Sequence, residues 1–285
     1  MKQINPLTTD LSAWSHIKIG AKCRNFFLPA DAEELAAALN FAQEKGLKIL
    51  PLAGGSNILF GNLNDIAVIS DAKLPCYWEN DGEMVTVSGN YNINRLLMKI
   101  ARINLSGLEF LAGIPAHIAG LVNMNAGAFG SQISDFIESV IVIDATGERR
   151  SLRKSEIHFD YRHTSITDYI TEVQFSLKPL PEDEILKIIK FNIEERRQKQ
   201  PLNLPNLGCI FKNPPDISAG YLLDKSGLKG KRRGNAAFSE IHANFMVNLG
   251  NATFEDAWNL IQTARICVKE NFGIDLELEI RIIDS

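Results

Sequence analysis

The chain has 285 residues, 45% of them hydrophobic and 22% charged, the makeup of an ordinary soluble protein with room for two or three domains. Its formal net charge of -4 argues against a general polyanion binder, because nonspecific nucleic-acid affinity comes mainly from many Lys and Arg contacts to phosphates. Any anionic ligand must therefore be gripped locally.

Residues 1–9 lack the apolar core of a secretory signal, and no run along the chain approaches the ~20 apolar residues of a membrane-spanning helix. Asp31 with Glu34 predicts a capping box opening a helix in which Leu35, Ala38, Leu39 and Phe41 share a face until Gly46. A buried strand is expected at 48–52, followed by the loop Ala53-Gly54-Gly55-Ser56-Asn57 and the apolar Ile58-Leu59-Phe60. Strands are expected at 66–70 and 84–88, and Leu96, Leu97, Ile100 and Ile103 place a helix over 92–104. Segments 140–144 and 150–152 flank a turn at Thr146-Gly147, and 172–177 is a further strand stopped by Pro179 and Pro181. A helix over 184–200 leads into Pro201 and Pro205, where a domain boundary is expected. Thr253 and Asp256 cap a helix to about Asn271, and apolar and polar residues then alternate over 274–282 as in a strand with one polar face. The cysteines Cys23, Cys76, Cys209 and Cys267 lie far apart without a CxxC pair, which disfavours a metal site or disulfide framework and points to the cytoplasm.

Two loops carry chemistry. Main-chain N–H groups converge on phosphate oxygens only where residues are small, as at Gly54-Gly55-Ser56-Asn57 and again from Gly113-Ile114-Pro115-Ala116-His117-Ile118-Ala119-Gly120 into Asn125-Ala126-Gly127-Ala128. The second stretch shows no helical period. The chain contains no GxG triplet, which removes the dinucleotide fingerprint of a Rossmann domain, and no GxxxxGK[ST] loop. Either loop alone reads as an ordinary tight turn; the pair suits a cofactor with a pyrophosphate and an extended body.

These loops, with Tyr161-Arg162, 208–214, His242-Ala243-Asn244 and Glu279, resemble the bacterial UDP-N-acetylenolpyruvoylglucosamine reductases, or UDP-N-acetylmuramate dehydrogenases, of the shorter type. The resemblance covers nearly the whole chain. It implies an α/β (α+β) fold: a two-lobed FAD-binding domain of the vanillyl-alcohol-oxidase type over 1–180 (lobes 1–65 and 66–180), a helical linker at 181–205, and a smaller substrate-binding domain over 206–285. The last strand is allowed to pack back toward the FAD domain. The implied reaction uses non-covalent FAD to pass hydride from NADPH to UDP-N-acetylglucosamine enolpyruvate, making UDP-N-acetylmuramate for peptidoglycan. The implied protein is a cytoplasmic bacterial monomer without nucleic-acid or membrane partners.

The resemblance also implies roles. Ala53, Gly54, Gly55, Ser56, Asn57, Gly113, Ile114, Pro115, Ala119, Gly120, Asn125, Ala126 and Gly127 would hold the cofactor, and Tyr161, Lys212, Asn213, His242 and Asn244 the substrate. Hydride delivered to C3 of the enolpyruvyl group leaves carbanion-like charge at C2, delocalised into the carboxylate. Arg162 would stabilise that charge; by pattern alone it reads as a surface arginine. Glu279, by pattern a solvated carboxylate, would polarise the substrate carboxylate or relay a proton. Cys209 stands where the family usually has a serine proton donor, and a thiol is the stronger acid, although cysteine often packs as a small hydrophobe. His242 reads as structural. Ala116 and Ala119 occupy positions commonly glycine in the family, Leu278 one commonly proline, and Thr164 one usually serine. Two other readings remain: a different FAD-dependent dehydrogenase on the same fold, and a flavin- or nucleotide-binding relative without turnover.

Overall fold

A computed structural model describes residues 4–144 and 146–284. The chain packs as two compact units, neither of them contiguous in sequence: Met1–Thr8, Arg24–Gly54 and Asp65–Glu194 form the first, and Thr9–Cys23, Gly55–Asn64 and Glu195–Ser285 the second. The single division expected near 181–205 thus differs from the way the chain packs. The reason is strand pairing: Arg281–Ile283 lies parallel to Ile58–Phe60, Arg281 opposite Ile58, which draws 55–64 to the C-terminal residues.

In the first unit, Asn25 to Phe27 and the strand Lys48–Leu52 flank Ile66–Ser70 in parallel. Parallel neighbours need a crossover, supplied by α1 (Ala32–Glu44), whose Leu35, Ala38, Leu39 and Ala42 bury against Phe27, Ala67 and Ile69. Asp31 Oδ1 accepts from the Glu34 N–H at 2.9 Å, which is one half of the expected box, while the Glu34 carboxylate accepts from the Ala30 N–H at 2.8 Å. A five-stranded antiparallel sheet follows, in the order Arg149–Arg153, Ile137–Ile143, Tyr169–Ser176, Met84–Ser88, Trp78–Asp81. Its core takes Leu96, Leu97 and Ile100 of α2 (Ile93–Arg102), Ile118 and Val122 of α3 (Ile118–Asn123), and Ile185 and Ile189 of α4 (Glu182–Lys199). No helical period announces α3, because a six-residue helix offers too few turns for one to register.

In the second unit, Asn206–Cys209, Phe245–Asn248, Ala236–Phe238 and Arg232–Arg233 form an antiparallel sheet in that order. Leu222 and Leu223 of α5 (Ala219–Lys225) and Leu260, Ile261, Ala264 and Val268 of α6 (Phe254–Phe272) share a core with Phe211 and Met246. Thr253 and Asp256 cap α6 reciprocally at 3.1 and 3.2 Å, and Gly273, at φ 71°, ends it. The alternating segment 274–282 is not one strand: only Arg281–Ile283 is extended and paired, with Leu278 making a single bridge to Phe211. Leu276 and Ile280 are buried as alternation predicts, but each anchors an irregular segment rather than a ladder.

Candidate active site

The two glycine loops meet inside the first unit. A Cβ on Gly54 would lie 3.4 Å from the Pro115 carbonyl oxygen and 3.6 Å from the His117 nitrogen, and one on Gly120 would lie 3.8 Å from the Ala53 methyl. Among the described residues the N–H groups of Gly54 and His117 have no acceptor in the chain. The second loop is stapled from below by Asn94 of α2, whose amide accepts from the Gly113 N–H and donates to the Ile114 carbonyl, each at 2.8 Å. Gly113 needs its freedom, with φ at 85°, whereas Ala116 and Ala119 are absent from the positive-φ residues, so their methyls carry no left-handed strain.

Beside this loop lies a cluster that no sequence pattern announces. Asp71, just after the strand Ile66–Ser70, meets His117 Nδ1 through Oδ2 at 3.2 Å, while its Oδ1 is buried without a partner. Asn90 donates to the Asp71 and Leu74 carbonyls at 3.2 and 2.8 Å and leaves its own oxygen unsatisfied. The buried Tyr169 hydroxyl also lacks a partner, and burial, then the Asp71 charge, pushes its pKa far up, so it stays a neutral phenol. Each such atom costs about 1–3 kcal/mol unless a ligand or water satisfies it. Asp71 and Asn90 line a cavity of about 260 Å³ with Leu35, Tyr77, Ile170 and Thr171. Arg149 and Glu172 also line this cavity, and Asp71 joins it to the second glycine loop through His117.

Arg162 sits at the tip of a two-residue hairpin joining Phe159–Asp160 to His163–Thr164. Its φ is 56°, a backbone conformation that costs a non-glycine residue on the order of 1 kcal/mol. The guanidinium lies 5.0 Å from the Tyr161 ring centroid and donates from Nη2 to the Gly127 carbonyl at 2.9 Å. Tyr161 itself is largely exposed.

In the second unit, the segment bearing Cys209 runs against the one bearing Glu279. The Glu279 N–H donates to the Ile210 carbonyl at 2.8 Å, and the Lys212 N–H to the Glu277 carbonyl at 2.9 Å. Asn57 ties the same place down: its amide donates to the Glu279 carbonyl at 3.0 Å, and its carbonyl accepts from the Arg281 N–H at 3.0 Å. Both Cys209 and Glu279 are half-buried. Asn244, 1% exposed, spends its amide on the Phe211 backbone, accepting at 3.0 Å and donating at 2.8 Å, while its own carbonyl accepts from the Ile210 N–H. It therefore clamps the cysteine segment. Asn213 Oδ1 accepts from the Ala219 N–H at 3.0 Å, fixing the start of α5, and the Lys212 ammonium reaches Glu277 at 3.4 Å.

The family model for the C-terminal domain of UDP-N-acetylenolpyruvoylglucosamine reductase matches residues 200–283, and one for an FAD binding domain matches 24–153. The reductase of Thermotoga petrophila is 39% identical, with 95% of this chain and 96% of the relative covered; that of Chloroherpeton thalassium is 37% identical, with 97% and 92% covered. The crystal structure of the Thermus caldophilus reductase superposes with a TM-score of 0.84 at 31% identity, covering 98% of this chain and 99% of that one. The chain belongs to the UDP-N-acetylenolpyruvoylglucosamine reductase family. The mixed α/β architecture with an FAD-binding part before a reductase C-terminal part is the one expected. No helix among the described residues is long and apolar enough to cross a membrane, and no described cluster of His, Cys, Asp or Glu could hold a metal.

Within this reductase chain Lys225, Lys229, Lys231, Arg232 and Arg233, a basic cluster around Gly227 and Gly230, are exposed. Lys229 pairs with Asp224 at 3.8 Å, and Lys225 stands over the exposed Tyr221 ring at 5.7 Å. His242 is different: its ring packs edge-on against Phe245 with centroids 4.9 Å apart, and Nδ1 accepts from the Asn244 N–H at 3.3 Å. Burial, chiefly, holds its pKa below the usual 6.5, so the folded form is the neutral one. Stability from this group is fully present above about pH 6.5 and is lost as pH falls through the lower folded-state value. Urea midpoints measured from pH 7.5 down to about 5 are expected to fall less steeply in His242→Gln than in the parent; equal slopes would contradict the assignment.

Proposed function

We infer that the protein is an FAD-dependent NADPH oxidoreductase that reduces UDP-N-acetylglucosamine enolpyruvate to UDP-N-acetylmuramate for peptidoglycan, acting in the bacterial cytoplasm as a monomer. The observation that carries this is the match to named reductases over nearly the whole length of chain and relatives alike. In sequence order the FAD-binding part is assigned to 1–180, a linker to 181–205 and the substrate part to 206–285, while 9–23 and 55–64 pack in the unit of the C-terminal residues, where Ile58–Phe60 pairs with Arg281–Ile283. When bound, FAD supplies the relay by which hydride passes from NADPH to the substrate.

The chain's own residues do the rest. Ala53, Gly54 and the Gly113–Gly120 loop offer close backbone approach and unengaged N–H groups to the pyrophosphate, and the cavity at Asp71 and Asn90 receives the adenosine end. Gly55, Ser56 and Asn57 continue the same loop. Arg162, always charged, grips the carboxylate of the enolpyruvyl group and stabilises the charge that spreads into it once C3 has accepted hydride. Cys209 delivers the proton to C2. Glu279, held beside the cysteine segment by its N–H bond to Ile210, polarises the carboxylate or resupplies the thiol. Lys212, Asn213 and His242, and separately Tyr161, are each assigned to binding the nucleotide sugar, with Asn244 acting through the Phe211 backbone.

Under anaerobic conditions the purified protein is expected to be yellow, to bleach on adding NADPH, and to regain colour on adding UDP-N-acetylglucosamine enolpyruvate. Bleaching without recovery would favour a flavin-binding relative without turnover. Recovery only with some other electron acceptor would favour a different dehydrogenase.

A further inference from the structure

We propose that Asn125 and Gly127 are positioning residues for the Arg162 guanidinium, acting through a pair of interlocked hairpins. The inference rests on the role given to Arg162 and adds what holds it. The first hairpin pairs Gly127–Ala128 with Ser131–Gln132 around Phe129 and Gly130, both at positive φ (52° and 82°), as tight two-residue loops require. The second carries Tyr161 and Arg162 between Phe159–Asp160 and His163–Thr164.

Asn125 links the two. It is 1% exposed, with a left-handed φ of 38°, and its Nδ2 donates to Gln132 Oε1 of the first hairpin at 3.1 Å and to the Asp160 carbonyl of the second at 3.0 Å. Its Oδ1 accepts from the Ser134 N–H at 3.3 Å. The Asp160 carbonyl lies two residues before Arg162, so the amide sets the height of the turn that presents the arginine. Gly127 then sets the direction of the side chain. Its carbonyl accepts from Nη2 at 2.9 Å, and a Cβ in place of its hydrogen would lie 3.2 Å from Nη1 and 2.9 Å from the Ser131 carbonyl oxygen. A guanidinium held at one edge by the Gly127 carbonyl, with no Gly127 side chain pressing on Nη1, is oriented before any substrate arrives. Since Arg162 occupies a strained backbone position, this scaffold is also what keeps the turn from relaxing.

Gly127→Ala places no left-handed strain on the backbone but sets a Cβ 2.9 Å from the Ser131 carbonyl oxygen, so the Asn125 variants are measured beside it. Anaerobic stopped flow of the FAD-loaded protein should find reoxidation by UDP-N-acetylglucosamine enolpyruvate slowed about 10- to 100-fold more than flavin reduction by NADPH. In an Arg162→Ala background the same change should add nothing, since its effect passes through the guanidinium. Asn125→Ala and Asn125→Asp, which both lose the donor to Asp160, should likewise slow reoxidation more than reduction in the FAD-loaded protein. Equal slowing of both halves, or a Gly127→Ala effect that multiplies with that of Arg162→Ala, overturns the proposal. A normal Gly127→Ala beside an impaired Arg162→Ala overturns it alone. An unimpaired Arg162→Ala removes the arginine's role and the proposal together.

Discussion

Cys209→Ala is expected to slow reoxidation of the reduced flavin by substrate by about 10²- to 10⁴-fold, the usual contribution of a positioned general acid, with reduction by NADPH unaffected. Gly208, at φ 72°, turns the chain just before the thiol; Cys209 pairs with Phe245; and Ile210 is fixed on both sides, by Asn244 and by Glu279. The side chain therefore projects from a segment that cannot drift. Cys209→Ser is expected to keep much of the activity, since a hydroxyl retains the proton at nearly the same place, although it is the weaker acid. Equal losses in the two halves for Cys209→Ala would leave the thiol a packing residue. Glu279→Gln, which keeps the backbone bond to Ile210, provides the companion measurement for the carboxylate.

The second large effect is on stability. Gly55→Ala is expected to lower the unfolding free energy by about 2–5 kcal/mol, the sum of a left-handed backbone penalty and overpacking. The φ of Gly55 is 62°, and its new Cβ would fall 2.0 Å from the Trp14 carbonyl oxygen, a backbone atom pinned nearby by the His16 N–H bond to the Gly55 carbonyl. Gly46→Ala is the control: φ there is 65° but nothing lies within 4 Å, so only the conformational part, about 1 kcal/mol, should appear. Urea unfolding of both variants separates the contributions, and similar losses at the two positions would mean that the loop yields where the structure holds it rigid.

Several features were legible from local pattern alone. The helices α1, α2, α4 and α6 follow from apolar periodicity, and α1 and α6 also from their N-caps, because a helix that buries one face must repeat apolar residues near 3.6 and must satisfy its first N–H groups from nearby side chains. The glycine loops were visible because backbone approach excludes side chains. The family followed from ordered short segments, and the loops, Tyr161-Arg162 and the cysteine segment were found by that route.

What tertiary structure decided lies in long-range pairings that local pattern does not encode. The alternation over 274–282 predicted a strand; the stretch instead pairs in two places, through a single bridge of Leu278 to Phe211 and through Arg281–Ile283 beside Ile58–Phe60, with Glu279 and Ile280 in a bend between them. Asp71, Asn90 and Tyr169 come from three separate segments, so their unsatisfied atoms become a cluster only when the sheets fold. Asn244 reads in sequence as a substrate contact, yet its amide is committed to Phe211, and Asn125 bonds to Asp160, 35 residues further along the chain, in joining two hairpins. Amide side chains have no periodicity to betray them: the residue type announces a hydrogen-bonding capacity, and only the fold chooses the partner.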